Sequence, residues 1–191
     1  VATQAHTNPY LGICGLERLE QCADANKVLE TLLLDDSHRD RRQFHLIDHQ
    51  GRTACWTGPN CGDWAGHRHR QDCSVAGNFL VGESVLLAME ETFLASDPSW
   101  KLGRRLMHAL QAGEAAGGDR RAASSTSAAL QISGDAAFPL LDLRVDYRDQ
   151  AVGELMAIYE RSQDLWAQQW RDELSELRTL NRTVQRTTTP A

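Results

Sequence analysis

A mixed α/β fold is what the sequence predicts, and three patterns predict it. Short segments with a period of two recur along the chain. The cleanest is Leu140 to Tyr147, where Leu141, Leu143 and Val145 point one way and Asp142, Arg144 and Asp146 the other. Between such segments lie stretches whose apolar residues recur at helical spacing, as Val28, Leu29, Leu32 and Leu33 do. From about Asp149 a helical pattern then continues towards Val184.

Taken in order, Val1-Ala2-Thr3 reads as the inside of a strand. Asn8-Pro9 marks a turn into a helix from about Tyr10 to Cys22. Asp24 is placed to cap a second helix, and Asp35 to Arg42 is a polar loop. Gln43 to Asp48 and Thr53 to Trp56 read as strands around the turn His49-Gln50-Gly51-Arg52. Gly58 to Asp72 lacks periodicity and is expected to be a long loop of the kind that carries function. Cys73 to Val81 is a further strand. Helices are expected at Glu83 to Ala95 and Leu102 to Ala112, and Gly117-Gly118 must end the second. Ser127 to Ser133 pairs with Leu140 to Tyr147. Phe44, Leu46, Leu141, Leu143 and Val145 are expected in the core.

The C-terminal pattern sets Leu155, Tyr159, Trp166, Trp170, Leu174 and Leu177 at helical spacing. One helix from Asp149 to Val184 would be roughly 50 Å long, more than a domain of this size needs. Residues 1–162 are therefore expected to form the domain and 163–191 a helical extension. Its Trp166, Trp170, Leu174 and Leu177 stripe either folds back on the core or pairs two chains into a homodimer.

Composition bounds the function classes. With 41% apolar and 24% charged residues the chain is an ordinary globular domain, able to bury a core. A net charge of −6 gives no whole-molecule attraction to nucleic acid or an anionic membrane. The basic run His67-Arg68-His69-Arg70 is too short to change that. No apolar run approaches a membrane span. The five scattered cysteines suggest reduced thiols and a cytoplasmic setting.

Several blocks carry a resemblance. They are VATQAHTNPYLG (Val1 to Gly12), WTGPNCGDWAGHR (Trp56 to Arg68), SVAGNFLVGESVLLAM (Ser74 to Met89), LQAGEAAGGDRR (Leu110 to Arg121), SAAL (Ser127 to Leu130) and LDLRVD (Leu141 to Asp146). In this order they resemble the bacterial domain of unknown function 1028 family, grouped by fold with the Ntn (N-terminal nucleophile) hydrolases. The resemblance implies a four-layer αββα sandwich, two stacked sheets flanked by helices. Members usually carry further strands before the equivalent of Val1. An open sheet edge beside Val1 to Ala5 is therefore expected, a place for a partner strand. Ala122 to Thr126 is longer than the family pattern, and residues beyond about Ser162 extend past it.

Ntn chemistry uses a chain-terminal Thr, Ser or Cys whose own amine is the base. Val1 has no such side chain and Thr3 stands two residues in, so that chemistry is expected to be incomplete here. The resemblance and the loop at Asp119 point to a hydrolase of an amide or related C–N bond in a small anionic molecule. The rival is a non-catalytic ligand-binding or scaffolding domain, which the missing terminal nucleophile favours.

Candidate residues fall in three places. Cys55, Cys61, His67, His69 and Cys73 offer zinc-type ligands, but their spacing matches no zinc module and no metal or cofactor is expected. Cys61 and His67 can alternatively form a nucleophile–base pair, or the loop is simply pinned by a buried Trp64 and a hydrogen-bonded His67. In Gly117 to Arg121 a glycine nest can hold an anionic oxygen, with Arg121 clamping a carboxylate and Asp119 fixing Arg121. The plain alternative is a helix cap with a surface ion pair. Asp142, Arg144 and Asp146 either line a polar pocket or sit on an exposed edge. Asn8 and Asn78 are candidates for amide hydrogen bonds to a ligand.

Overall fold

Strand alternation around one central strand organises the structure. In the computed structural model, which describes residues 1–21, 24–121, 123–134, 136 and 138–174, contacts gather the chain into two units. One holds Val1–Ser99 and His108–Ser124, the other Trp100–Met107 and the chain from Ser125 onward.

In the first unit, β1 (Ala2–Ala5), β2 (Arg42–Ile47) and β3 (Thr53–Thr57) form an antiparallel sheet in the order β1-β2-β3. The register aligns Thr3 with Phe44 and Trp56, and Gln4 with Gln43 and Thr57. Phe44, Leu46 and Ala54 fall on one face, against α1 (Pro9–Glu20) and α2 (Ala25–Asp35). There they pack with Leu11, Val28, Leu29, Leu32 and Leu33. Both helices are capped as their sequences require. Asn8 Oδ1 accepts from the Tyr10 N–H at 3.1 Å and Asp24 Oδ1 from the Asn26 N–H at 2.9 Å. The opposite face of the sheet meets the hairpin of β4 (Trp64–Arg70) and β5 (Cys73–Leu80). On the hairpin's far side Trp64, Val75 and Leu80 pack with Val85, Leu86 and Met89 of α3 (Glu83–Ala95).

The β4 strand corrects one expectation, that of a long loop over Gly58 to Asp72. From His67 to Arg70 its alternation is real but entirely polar. Arg68 and Arg70 point outward, donating to the Glu90 carboxylate of α3 at 2.6 and 2.8 Å. Burial alone would raise that carboxyl, but the two guanidiniums hold it below its ordinary value. His67 and His69 point the other way, into the sheet.

In the second unit, β6 (Ala128–Ile132) pairs antiparallel with β7 (Leu141–Val145), followed by α5 (Ala151–Arg161). Helix α4 (Leu102–Ala115) contributes its first part here. Met107, Leu130, Val145, Val152, Leu155 and Tyr159 are buried, whereas Leu141 and Leu143 are only half-buried, short of the expected core positions. A two-stranded ribbon covers its own face incompletely. Asp142, Arg144 and Asp146 lie on the exposed face, and Arg144 pairs with Asp146 at 2.7 Å. The stripe is an exposed edge.

The single long C-terminal helix is also corrected. Helix α5 ends at Arg161, residues 162–164 form a turn, and the chain is helical again over 165–174. The Ser162 hydroxyl donates to the Tyr159 carbonyl at 2.6 Å, a local bond that competes with helix continuation. The Asp164 carbonyl then accepts from Ala167 and Gln168, starting the next stretch. Trp166 and Trp170 are 67% and 57% exposed, and Leu177 lies outside the described residues. Strand β1 has β2 as its one partner strand among the described residues. No helix among them is long and apolar enough to cross a membrane.

Phe44, fully buried between sheet and helices, sets a stability expectation. Phe44→Ala should cost about 3–5 kcal/mol in urea unfolding. Tyr147→Ala, at a position 84% exposed, should stay within about 0.5 kcal/mol.

Candidate functional site

The polar alternates of β2 and β3 face the β4–β5 hairpin, which buries Gln43 and leaves His45, Thr53, Cys55 and Thr57 half-buried. Their hydrogen bonds must be made across the gap, and Gln43 makes the most. It is 0% exposed. Its Nε2 lies 2.8 Å from the Gly66 carbonyl, 2.9 Å from the Gly77 carbonyl and 3.0 Å from Thr57 Oγ1. The two carbonyls fix the amide's orientation, since a reversed amide would set oxygen against oxygen. Gln43 Oε1 in turn accepts from Gln4 Nε2 at 2.5 Å and Asn78 Nδ2 at 3.2 Å.

Three hydroxyl–imidazole pairs fill the same layer: Thr57 with His67 at 2.8 Å, Ser74 with His45 at 2.6 Å and Thr53 with His69 at 2.9 Å. Their third partners set the direction of each proton. Gln43 Nε2, whose two hydrogens are shared among three acceptors, cannot itself accept, so among the described residues the Thr57 hydroxyl hydrogen has His67 Nδ1 as its acceptor, and that bond puts the proton of neutral His67 on Nε2. Thr53 instead donates to the Arg70 carbonyl at 3.0 Å, so His69 Nδ1 donates to it. Ser74 Oγ also lies 3.2 Å from the Cys55 thiol, which burial pushes up and keeps protonated.

The imidazoles differ in strength as bases. Burial first, then neighbouring positive charge including that of His67, pushes His45 down to about 4. His67 is also lowered, by burial and then by the charge on His69. Both are neutral at pH 7. An imidazole near 4 is a poor base at that pH, so Thr57–His67 is the better matched pair.

A β-bulge borders this layer. Trp64 pairs with Leu80 and Gly66 with Gly77, so Asn78 and Phe79 stand opposite Ala65 alone. Phe79 has φ +54°, a left-handed conformation that costs an aromatic residue about 1–3 kcal/mol. Gly62 (φ +56°) approaches the Phe79 ring so closely that a Cβ would fall 2.7 Å from it. The Arg121 guanidinium covers that ring at 4.2 Å from its centroid. The Gly118–Arg120 backbone is stitched to the strand: Val81 N–H donates to Gly118 O and Arg120 N–H to Phe79 O.

The sequence-predicted residues divide accordingly. His67 and Asn78 meet in the polar layer. Asp119 and Arg121 sit beside the bulge, bound to each other through Arg121 Nε at 2.9 Å and through Nη2. That bond holds the Asp119 carboxyl below its usual value. The expected anion nest is not formed, because the Gly117 and Gly118 N–H groups donate to the Glu114 and Gly113 carbonyls and cap α4. Cys61 does not pair with His67. Its buried thiol donates to the Arg42 carbonyl at 3.2 Å, and burial raises its pKa. Trp64 packs between hairpin and α3, Asn8 is a helix cap, and Asp142, Arg144 and Asp146 belong to the second unit. Among the described residues no group of three His, Cys, Asp or Glu is placed to hold a metal ion. Gln4, Gln43, His45, Thr57 and Ser74 are additions that the sequence reading missed. For Gln43, His45 and Thr57 the signal was the strict alternation with Phe44, Leu46, Ala54 and Trp56.

Comparison with known proteins gives a family. The family model described as "Family of unknown function (DUF1028)" matches residues 1–155. Among solved structures the chain is similar to protein SPO2555 from Silicibacter pomeroyi, itself assigned to DUF1028. The two share 29% identity with a TM-score of 0.79, over 90% of this chain and 75% of that one. No curated protein matches the chain.

His45 makes stability depend on pH. Its folded pKa of about 4 lies below the unfolded value of 6.5. Between these values the unfolded chain binds more protons, so stability is full above about 6.5 and falls as the pH drops towards 4. The expected loss is up to roughly 3 kcal/mol, at about 1.4 kcal/mol per pKa unit. Urea unfolding at pH 7.5 and 4.5 measures it, and His45→Gln should flatten the dependence in that window.

Proposed function

We propose that this chain, which belongs to the DUF1028 family, is a hydrolase of an amide or related C–N bond in a small molecule, with Thr57 as nucleophile and His67 as its base. The carrying observation is the 2.8 Å bond from Thr57 Oγ1 to His67 Nδ1, with the Gln43 amide nitrogen, which cannot take the hydroxyl's proton, 3.0 Å from the same oxygen. A hydroxyl whose proton faces a neutral imidazole is arranged for attack.

The steps balance with these two residues and water. Thr57 Oγ1 attacks the substrate carbonyl carbon while its proton moves to His67 Nδ1. The C–N bond breaks as His67 returns that proton to the leaving nitrogen, and an ester remains on Thr57. Water then attacks the ester, giving a proton to His67, and the hydroxyl is restored as the acid leaves. The exposed guanidinium of Arg120, 3.7 Å from Asp63, is the cation proposed to meet an anionic substituent of the substrate.

Further observations support this reading. The first unit stacks helices, sheet, hairpin and helix with the polar layer between its β elements, which supports the αββα Ntn-like sandwich that the resemblance implies. A cytoplasmic setting fits the reduced thiols. The exposed Trp166 and Trp170, one helical turn apart, support a second copy of the chain as partner. Truncation after Ser162 should then turn a dimer into a monomer by light scattering.

The activity itself is tested with a panel of small acyl amides and p-nitrophenyl acetate. Thr57→Val and His67→Gln should each lower the rate by about 10²–10⁴-fold. Because the base must be neutral, the rate should fall as pH drops through the His67 pKa, which lies below 6.5. Wild-type rates in Thr57→Val would remove Thr57 as the nucleophile, and a wild-type chain that turns over no member of the panel would leave the non-catalytic ligand-binding reading in its place.

A further inference from the structure

We infer that Asn78 is the group that stabilises the negative charge developing on the substrate's carbonyl oxygen, and that the bulge behind it serves to hold it there; this rests on the hydrolase reading above. The hairpin register carries the first part of the argument. His67 stands opposite Ala76 and His69 opposite Ser74. Ser74 bonds to His45, so this face of β5 looks into the polar layer, and Asn78 continues the same alternation. In a regular strand Leu80 would follow it inward. The extra residue at the bulge, with Phe79 at φ +54°, turns Leu80 outward into the cluster with Val85 and Leu86 and leaves Asn78 inside. A backbone conformation unfavourable for an aromatic residue thus separates one polar side chain from its apolar neighbour. Bulges next to active sites commonly re-aim a side chain in this way.

The second part is donor arithmetic. An amide nitrogen carries two hydrogens. Asn78 Nδ2 uses one on Gln43 Oε1, at 3.2 Å, its one acceptor among the described residues. The other end of the Gln43 amide touches Thr57 Oγ1. Donor and nucleophile therefore hang from opposite ends of one planar, fully buried group, and Gln43 is the positioning residue for both. Gln4 Nε2 shares the same acceptor, but from the edge strand β1 and on a longer side chain. Asn78 is shorter and is fixed by the bulge. A donor held in place before reaction, and engaged fully only when charge appears on the carbonyl oxygen, accelerates the chemical step rather than substrate binding.

The test uses the full chain and p-nitrophenyl acetate as the probe. Thr57 Oγ1 attacks the acetyl carbon, p-nitrophenolate leaves, and mass spectrometry locates the acetyl group on Thr57. Asn78→Ala is expected to slow the acylation step about 10²–10³-fold with little change in KM, and with the adduct still on Thr57. Should Asn78→Ala melt early, Asn78→Asp keeps the shape while exchanging donor for acceptor, and a loss at least as large is expected. Acylation of either folded variant at the wild-type rate, with Thr57→Val inactive, overturns the inference and leaves Thr57 as nucleophile; the bulge then serves only to bury Leu80. Full acylation of Thr57→Val overturns the hydrolase reading itself, and the role of Asn78 with it.

Discussion

The amide of Gln43 is the constraint on which the rest of the first unit depends. It has no exposure to solvent, and its nitrogen is surrounded by the carbonyls of Gly66 and Gly77 and the hydroxyl of Thr57. Removing it would leave two backbone carbonyls unsatisfied in the interior, a larger penalty than the net worth of the bonds themselves. The pair Gly66–Gly77 lies where the β4–β5 ladder is interrupted, so Gln43 binds the hairpin at its irregular end. In doing so it sets how β2 registers against β4 and β5. The short contacts from Thr57 to His67 and from His45 to Ser74 follow from that register.

Stability and chemistry are divided between different layers. Stacked sheets usually meet through apolar faces. Here the apolar faces look outward: Phe44, Leu46 and Ala54 pack on α1 and α2, and Leu80 and Trp64 pack on α3. The layer between holds amides, hydroxyls, imidazoles and a thiol. A fold gains little from such a filling, because each bond made there replaces one to water. The depressed pKa of His45 measures what burial costs. The hydrophobic clusters on either side carry the stability that allows a polar interior between them.

How much of this was legible in the sequence depended on whether the signal was local. The α1 and α2 helices, the Asp24 cap, the β2–β3 and β6–β7 pairs and the family blocks were all readable, because spacing and capping act within a few residues. The β4 strand was not, since His67 and His69 alternate with Arg68 and Arg70. Imidazole against guanidinium gives no apolar period although the two faces meet quite different surroundings. The break at residues 162–164 was hidden because Ser162, Gln163 and Asp164 are not glycine or proline; the competing Ser162 hydroxyl bond appears only in three dimensions. Gln43, His45, Thr57 and Ser74 were the hardest to find. On sequence alone the polar alternates of a strand face water, and only the distant hairpin makes them interior.

The three hydroxyl–imidazole pairs show why residue identity alone could not have picked out a site. Each joins a Ser or Thr to a His Nδ1 across the same gap, at 2.6 to 2.9 Å. What separates them is the third group at the hydroxyl. At Thr53 it is a carbonyl oxygen, which takes the hydroxyl's proton and forces His69 to donate. At Thr57 it is an amide nitrogen, which can only give, so the proton is turned towards His67. At Ser74 it is a half-buried thiol, beside an imidazole whose basicity burial has lowered. Exchanging an acceptor for a donor at one end of a threonine hydroxyl thus converts a structural bond into an arrangement for proton transfer, and the residue that makes the exchange here is Gln43.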